Sequence, residues 1–117
     1  MATNCYIYYY CHNLLILLIF CRKGVCVWNI GHELAGANNV DSTSMNYLCS
    51  PGHENISSIG WDPTPGSHLL AVTSGTISTI IVYDTLSLST MPLKRIGKGN
   101  LLLRWSPSGR WIYVATK

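Results

Sequence analysis

The chain has 117 residues, 48% of them hydrophobic and only 11% charged. At about 100–200 residues per domain, that is one small domain, which excludes a large multidomain enzyme within this chain. A typical soluble domain is about 25% charged, and a net charge of +3 does not by itself point to nucleic acid.

The charges are unevenly placed. Residues 1–21 carry none, all five acids (Glu33, Asp41, Glu54, Asp62, Asp84) fall in the middle, and from Lys94 to Lys117 every charge is basic. The five cysteines (Cys5, Cys11, Cys21, Cys26, Cys49) are odd in number. They include no C-x-x-C and fit no zinc spacing. They read as reduced, partly buried thiols of a cytosolic or nuclear protein. Asn55-Ile56-Ser57 matches a glycosylation triplet, and nothing else in the sequence argues for secretion.

In residues 1–21 the strongly apolar core is the stretch 14–20, seven residues closed by Arg22-Lys23. A membrane-spanning helix needs about 20 apolar residues, and His12-Asn13 interrupt the longer run. No basic start or small-residue cleavage site marks a signal peptide. Three readings stay open: a buried strand with a tyrosine-rich lead-in, a short anchor over residues 5–21 with Arg22-Lys23 on the cytoplasmic side, or a start not native to the fold.

After residue 24 the apolar runs shorten to four to seven residues, rich in Val, Ile, Thr and aromatics. Turn-forming residues bound them, which predicts strands over 25–30, 56–61, 69–73, 79–83, 101–105 and 111–116. Asp62-Pro63-Thr64-Pro65-Gly66 and Ser106-Pro107-Ser108-Gly109 are turns, because proline pre-sets φ and glycine accepts positive φ. Residues 31–50 are polar and aperiodic and read as a long loop. The expected fold class is all-β.

The runs repeat. The stretch 56–61 ending in Trp61, a Pro/Gly turn, and 69–73 form one unit. The stretch 101–105 ending in Trp105, a Pro/Gly turn, and 111–116 repeat it, with the tryptophans 44 residues apart. The stretch 24–29, containing Trp28, is similar to 79–84. A period near 40–45 with strand–turn–strand content resembles a WD-repeat blade. Gly52-His53 stands where that family has Gly-His, and Tyr83-Asp84 stands at its Trp-Asp, 30 residues later. The resemblance implies a partial WD-repeat β-propeller of about two blades over residues 22–117, cut short at both ends. Its structural markers are Trp28, Gly52, His53, Trp61, Thr73, Tyr83, Asp84, Trp105, Pro107 and Gly109. It also implies that His53 bonds a hydroxyl of Thr73 or Ser74 and an aromatic at Tyr83. The aspartate expected after Thr73 is absent from Ser74-Gly75-Thr76-Ile77-Ser78, so the network is incomplete.

No catalytic constellation is visible, and the chain reads as a non-enzyme without metal or cofactor. The acids show no pairing for general acid–base work. Gly97-Lys98-Gly99 is too short for a phosphate loop. Neither Gly-x-Ser-x-Gly nor His-Glu-x-x-His occurs, since His53-Glu54 is followed by Ser57 where a second ligand belongs. Of the four tryptophans (Trp28, Trp61, Trp105, Trp111), three begin or end strands, and all read as core packing in preference to a stacking platform. The basic stretch 94–117 reads as solvated surface because its neighbouring aromatics are expected to be buried. The sharper alternative is an acidic partner or an RNA backbone.

Several phrases narrow the resemblance: 24–29 before a long loop, Ser50-Pro51-Gly52-His53, 56–61, Gly66-Ser67-His68 running into 69–74, Val82-Tyr83-Asp84, and Met91-Pro92-Leu93-Lys94-Arg95 leading to 101–107. Together they resemble the aladin family of WD-repeat nucleoporins over residues 22–117. Residues 1–21 do not resemble the strand expected there. The resemblance implies a scaffold at the nuclear envelope, in nuclear pore complexes. Its partners would be other nucleoporins, including a membrane-spanning one. Membrane contact would be indirect, with no small-molecule substrate and no direct nucleic-acid binding. The alternatives are a WD-repeat adaptor of another complex, such as a ubiquitin-ligase substrate reader, and a single-pass membrane protein anchored through residues 5–21.

Overall fold

The computed structural model describes residues 6–11, 15–21, 23–29 and 45–117. Among them the regular structure is all β, in antiparallel sheets without a helix. The first sheet is an up-and-down run of β1 (Tyr6–Cys11), β2 (Leu15–Cys21), β3 (Gly24–Asn29) and β4 (Met45–Leu48). The second is β5 (Ile56–Trp61), β6 (Leu69–Ser74), β7 (Ile80–Asp84) and β8 (Thr90–Leu93), again in sequence order. The third pairs only β9 (Asn100–Trp105) with β10 (Ile112–Thr116).

The predicted strands over 56–61, 69–73, 79–83, 101–105 and 111–116 are present as β5, β6, β7, β9 and β10, with ends shifted by one residue where they differ. Two strands go beyond the sequence expectation. The loop read over 31–50 ends earlier, because Met45–Leu48 pair with β3 as β4. The Gly24–Asn29 strand is therefore third in its sheet. The other addition is β8, which contains Pro92. Residues 6–11 and 15–21 pair with each other as β1 and β2, with Tyr8 opposite Leu18. Among the described residues no helix is long and apolar enough to cross a membrane.

The second sheet is the middle layer, and its sequence shows why. Strands β6 and β7 are apolar at consecutive positions, as strands covered on both faces must be. Leu70, Val72, Ile81 and Tyr83 join Val25, Val27 and Leu48 of the first sheet in one core, together with Ile59 and Trp61. The alternate residues Ala71, Ile80 and Val82 face the other way and pack with Leu103, against which Trp105, Ile112 and Val114 rest. Val25 and Leu70 are fully buried. Each of these two side chains contributes roughly 1.5–3 kcal/mol on removal from water.

Candidate functional site

Two seams around the middle sheet collect nearly all the sequence markers. The first holds His53, three residues before β5. Gly52 precedes it with φ +78 in an exposed turn, a conformation that glycine adopts without a steric cost. That turn is closed by the His53 N–H donating to the Ser50 carbonyl at 3.0 Å. The imidazole is only 3% exposed, and its Nε2–H donates to the Thr79 carbonyl at 2.8 Å. A carbonyl only accepts, so Nδ1 keeps its lone pair, and this buried atom has no hydrogen-bond partner among the described residues. Burial lowers the His53 pKa, an effect partly opposed by the Thr79 bond. The ring is accordingly a neutral, structural one.

The hydroxyls expected around His53 are close in the chain but differently wired. Ser74 Oγ donates to the Glu54 carbonyl and accepts the Thr76 N–H at 3.1 Å, closing a local turn. Thr73 Oγ1 donates to the Ser58 carbonyl at 3.2 Å and shares a 2.9 Å bond with Ser57. The Tyr83 hydroxyl pairs with Ser50 Oγ at 2.8 Å, and burial raises its pKa. The expected His53–Thr73 or His53–Ser74 bond is thus replaced by a bond to main chain. Lacking the aspartate that would order a relay, each hydroxyl takes the nearest carbonyl or hydroxyl instead. Asp84, at the end of β7, accepts the N–H groups of Leu86 and Ser87 at 2.9 and 3.2 Å. Those two bonds hold its carboxyl below the usual range.

The second seam joins β5 to β9. The Trp105 indole N–H donates to the Gly60 carbonyl at 2.9 Å, and the Leu103 N–H donates to Ser58 Oγ at 3.2 Å. Both bonds link residues 45 apart, so β9 lies over β5 in the same direction at a constant offset. Trp61 is buried against the first sheet. The turns beyond the two tryptophans also meet. Asp62 accepts the Thr64 N–H, Thr64 Oγ1–H and Ser67 Oγ–H. Gly109, at φ +75, lies so near this carboxylate and Thr64 that a Cβ would collide with both. Pro107 is exposed at the start of that second turn. Trp28 lies on β3, and its side chain is outside the described residues.

A polar knot that sequence reasoning missed closes this seam. Asn100 is fully buried. Its Nδ2 donates to the Ile77 and Ser78 carbonyls, each at 3.2 Å, and its Oδ1 accepts from Arg95 Nε and Nη2 at 3.2 and 2.7 Å. Arg95 also donates to the carbonyls of Ile96 and Lys98. Next to the knot, a Cβ on Gly99 would run into the Gly75 carbonyl. No pattern marks an asparagine that fastens two loops. The available signal was its place between a glycine-bounded loop and an apolar run.

Two surface expectations are corrected. Trp111 was read as core but is 65% exposed, and Tyr113 is 61% exposed. These two aromatics of the basic stretch are therefore open, because among the described residues only one face of the third sheet is covered. Lys94, Lys98, Arg104, Arg110 and Lys117 are exposed as expected, while Arg95 is consumed internally. Cys26 is half-buried and Cys49 exposed; the other three cysteines lie outside the described side chains. Among the described residues no three His, Cys, Asp or Glu side chains converge on a point that would hold a metal ion. No protein-family model matches the chain.

Proposed function

We propose that this chain contributes consecutive blades to a WD-repeat β-propeller and serves as a non-enzymatic scaffold of the nuclear pore complex, supporting nucleocytoplasmic transport. The observation that carries the architectural half is the constant 45-residue offset of the two hydrogen bonds between β5 and β9. It joins sheets whose strands follow one another in simple up-and-down order. Repeats of 40–45 residues stacked in this manner are the sequence signature of propeller blades. The scaffold half rests on the resemblance of residues 22–117 to the aladin nucleoporins. It agrees with a polar inventory spent on holding loops and turns together, with His53, Asp62, Asp84 and Asn100 all engaged in that way. Propellers of this kind present loops and rims to other proteins. Partners are then other nucleoporins, one of them membrane-spanning, and contact with the envelope is indirect.

Imaging the fluorescently tagged full chain in cells, followed by carbonate extraction, tests this reading. A punctate nuclear rim together with release into the carbonate supernatant is the expected result. Diffuse cytoplasmic signal favours an adaptor of another complex, and retention in the membrane pellet favours the anchored alternative. Either outcome overturns the proposal.

A further inference from the structure

Three of the five prolines follow a hydroxyl residue, in Ser50-Pro51, Thr64-Pro65 and Ser106-Pro107. A serine or threonine directly before proline is the dipeptide on which proline-directed kinases act. The fold treats the three differently. Ser50 is half-buried, and its Oγ pairs with the hydroxyl of the buried Tyr83 at 2.8 Å. Ser106 is only 4% exposed, and its Oγ accepts the Trp111 N–H at 3.1 Å. Thr64 is exposed, as are Pro65 and Gly66 after it.

The repeat places Thr64 where the second turn has Ser108. The first turn is one residue longer, and the added residue is Pro65, whereas Ser108 runs directly into Gly109. Pro65 and Gly66, the latter at φ +82, form the bend of a turn closed by the Ser67 N–H donating to the Thr64 carbonyl at 3.0 Å. No side chain from Thr64 to Gly66 is buried, so this segment opens at little cost. Its anchor is Asp62, a carboxylate only 7% exposed. Asp62 Oδ1 accepts the Thr64 N–H at 2.9 Å and the Thr64 Oγ1–H at 2.7 Å, while Oδ2 accepts the Ser67 Oγ–H at 2.9 Å. Gly109 of the second turn closes on Thr64 Oγ1 and Asp62 Oδ1 together. The Thr64 hydroxyl therefore stands where the two turns meet.

We propose that Thr64 is a phosphorylation site for a proline-directed serine/threonine kinase, and that the phosphate opens the contact between the two turns. In the modification step Thr64 Oγ1 attacks the γ-phosphorus of ATP. The bond from that phosphorus to the β–γ bridging oxygen breaks, ADP leaves with the electron pair, and the hydroxyl proton passes to the kinase's base. The new O–P bond removes the proton that Asp62 accepted. It also sets a group of about −1.5 to −2 charges beside a carboxylate that is 7% exposed. Repulsion between these like charges, and the close approach of Gly109, drive the modified side chain out of the junction. The exposed Arg110 offsets little of this, because a solvated ion pair is weak. The inference draws on two turns inside the chain and does not require the propeller reading.

The test incubates the folded full chain with ATP, magnesium and a proline-directed serine/threonine kinase, and maps the modified residues by mass spectrometry. Modification is expected at Thr64, with Ser50 and Ser106 left unmodified. Thr64→Val, which keeps the shape and removes the hydroxyl, abolishes it, and so does Pro65→Ala, which keeps the hydroxyl. NMR of the phosphorylated chain then reads the consequence. The Thr64 and Ser67 amides exchange roughly tenfold faster, the scale of one lost hydrogen bond to a charged group, and the cross-peak between the Thr64 side chain and the Gly109 α-protons disappears. An unmodified Thr64, equal modification of Ser50 or Ser106, or modification that survives Pro65→Ala would each overturn the site. A phosphorylated Thr64 with amide exchange and the Gly109 cross-peak unchanged would overturn its effect on the turns.

Discussion

Strands β5 and β9 follow the same plan in different surroundings. In each, two large apolar residues two apart face the preceding sheet: Ile59 and Trp61 in β5, Leu103 and Trp105 in β9. The opposite faces differ. In β5 that face carries Ser58 and Gly60, and a Cβ on Gly60 would come within 2.8 Å of Leu103 Cδ1. In β9 it carries Leu102, which is 62% exposed, and the exposed Arg104. Small residues mark the face that another sheet approaches closely, whereas bulky and charged ones are tolerated where no sheet presses. The repeat determines which face points inward. The neighbouring layer determines what the other face can hold.

The largest test of this contrast compares the two tryptophans. Trp61→Ala empties a site closed by the first sheet and should cost about 3–5 kcal/mol. Trp105→Ala removes a half-buried ring and one indole hydrogen bond, and should cost about 2 kcal/mol. Urea denaturation of the two variants measures the gap, and equal losses would mean that the third sheet is covered on both faces. Next is the knot behind β9. Asn100→Ala deprives the Ile77 and Ser78 carbonyls and Arg95 of their partner and should cost about 3 kcal/mol. A loss below about 1 kcal/mol in the same denaturation experiment would show that water replaces the side chain.

Exchanging the contrasted faces sharpens the comparison further. Gly60→Val inserts side-chain atoms against Leu103 and should cost about 2 kcal/mol or more. Arg104→Val, at the position that repeats Gly60, should fall within about 0.5 kcal/mol of the parent. Thermal melts that rank these two in the opposite order would refute the stacking of β9 on β5.

The smallest effect belongs to His53. Its pKa is lowered in the folded state, so below the unfolded value of about 6.5 the unfolded chain binds the extra proton first. Stability therefore falls as pH drops below about 6.5 and stops falling once the folded state also takes up the proton. The slope cannot exceed one proton, about 1.4 kcal/mol per pH unit. His53→Gln should flatten this part of the profile between pH 7 and pH 5. An unchanged slope would move the effect to another group.

Strands with a buried face were legible in the sequence because burial imposes a pattern. The continuous apolar runs of β6 and β7 and the tryptophan-ended β5 and β9 stand out for that reason. Strands β4 and β8 were not legible. Residues 90–93 are all exposed, so no alternation is imposed on them, and Pro92 argues against a strand until an edge is known to be there. The turns were legible through Pro63, Gly66, Pro107 and Gly109. The bonding of His53 was not, because the choice between a hydroxyl and the Thr79 carbonyl is made by positions in space that no spacing encodes. Trp111 taught the same lesson in reverse. Its place in the repeat suggested burial, but exposure depends on what lies beyond β10.

The stacking of β9 on β5 is the claim on which the architecture and the proposed function both depend. A two-dimensional NOE spectrum of the full chain tests it directly. The account predicts a cross-peak between the Trp105 indole N–H proton and the Gly60 α-protons, with slowed exchange of that indole proton. Complete assignment with no such cross-peak, and an indole proton exchanging at the free-solvent rate, would contradict it.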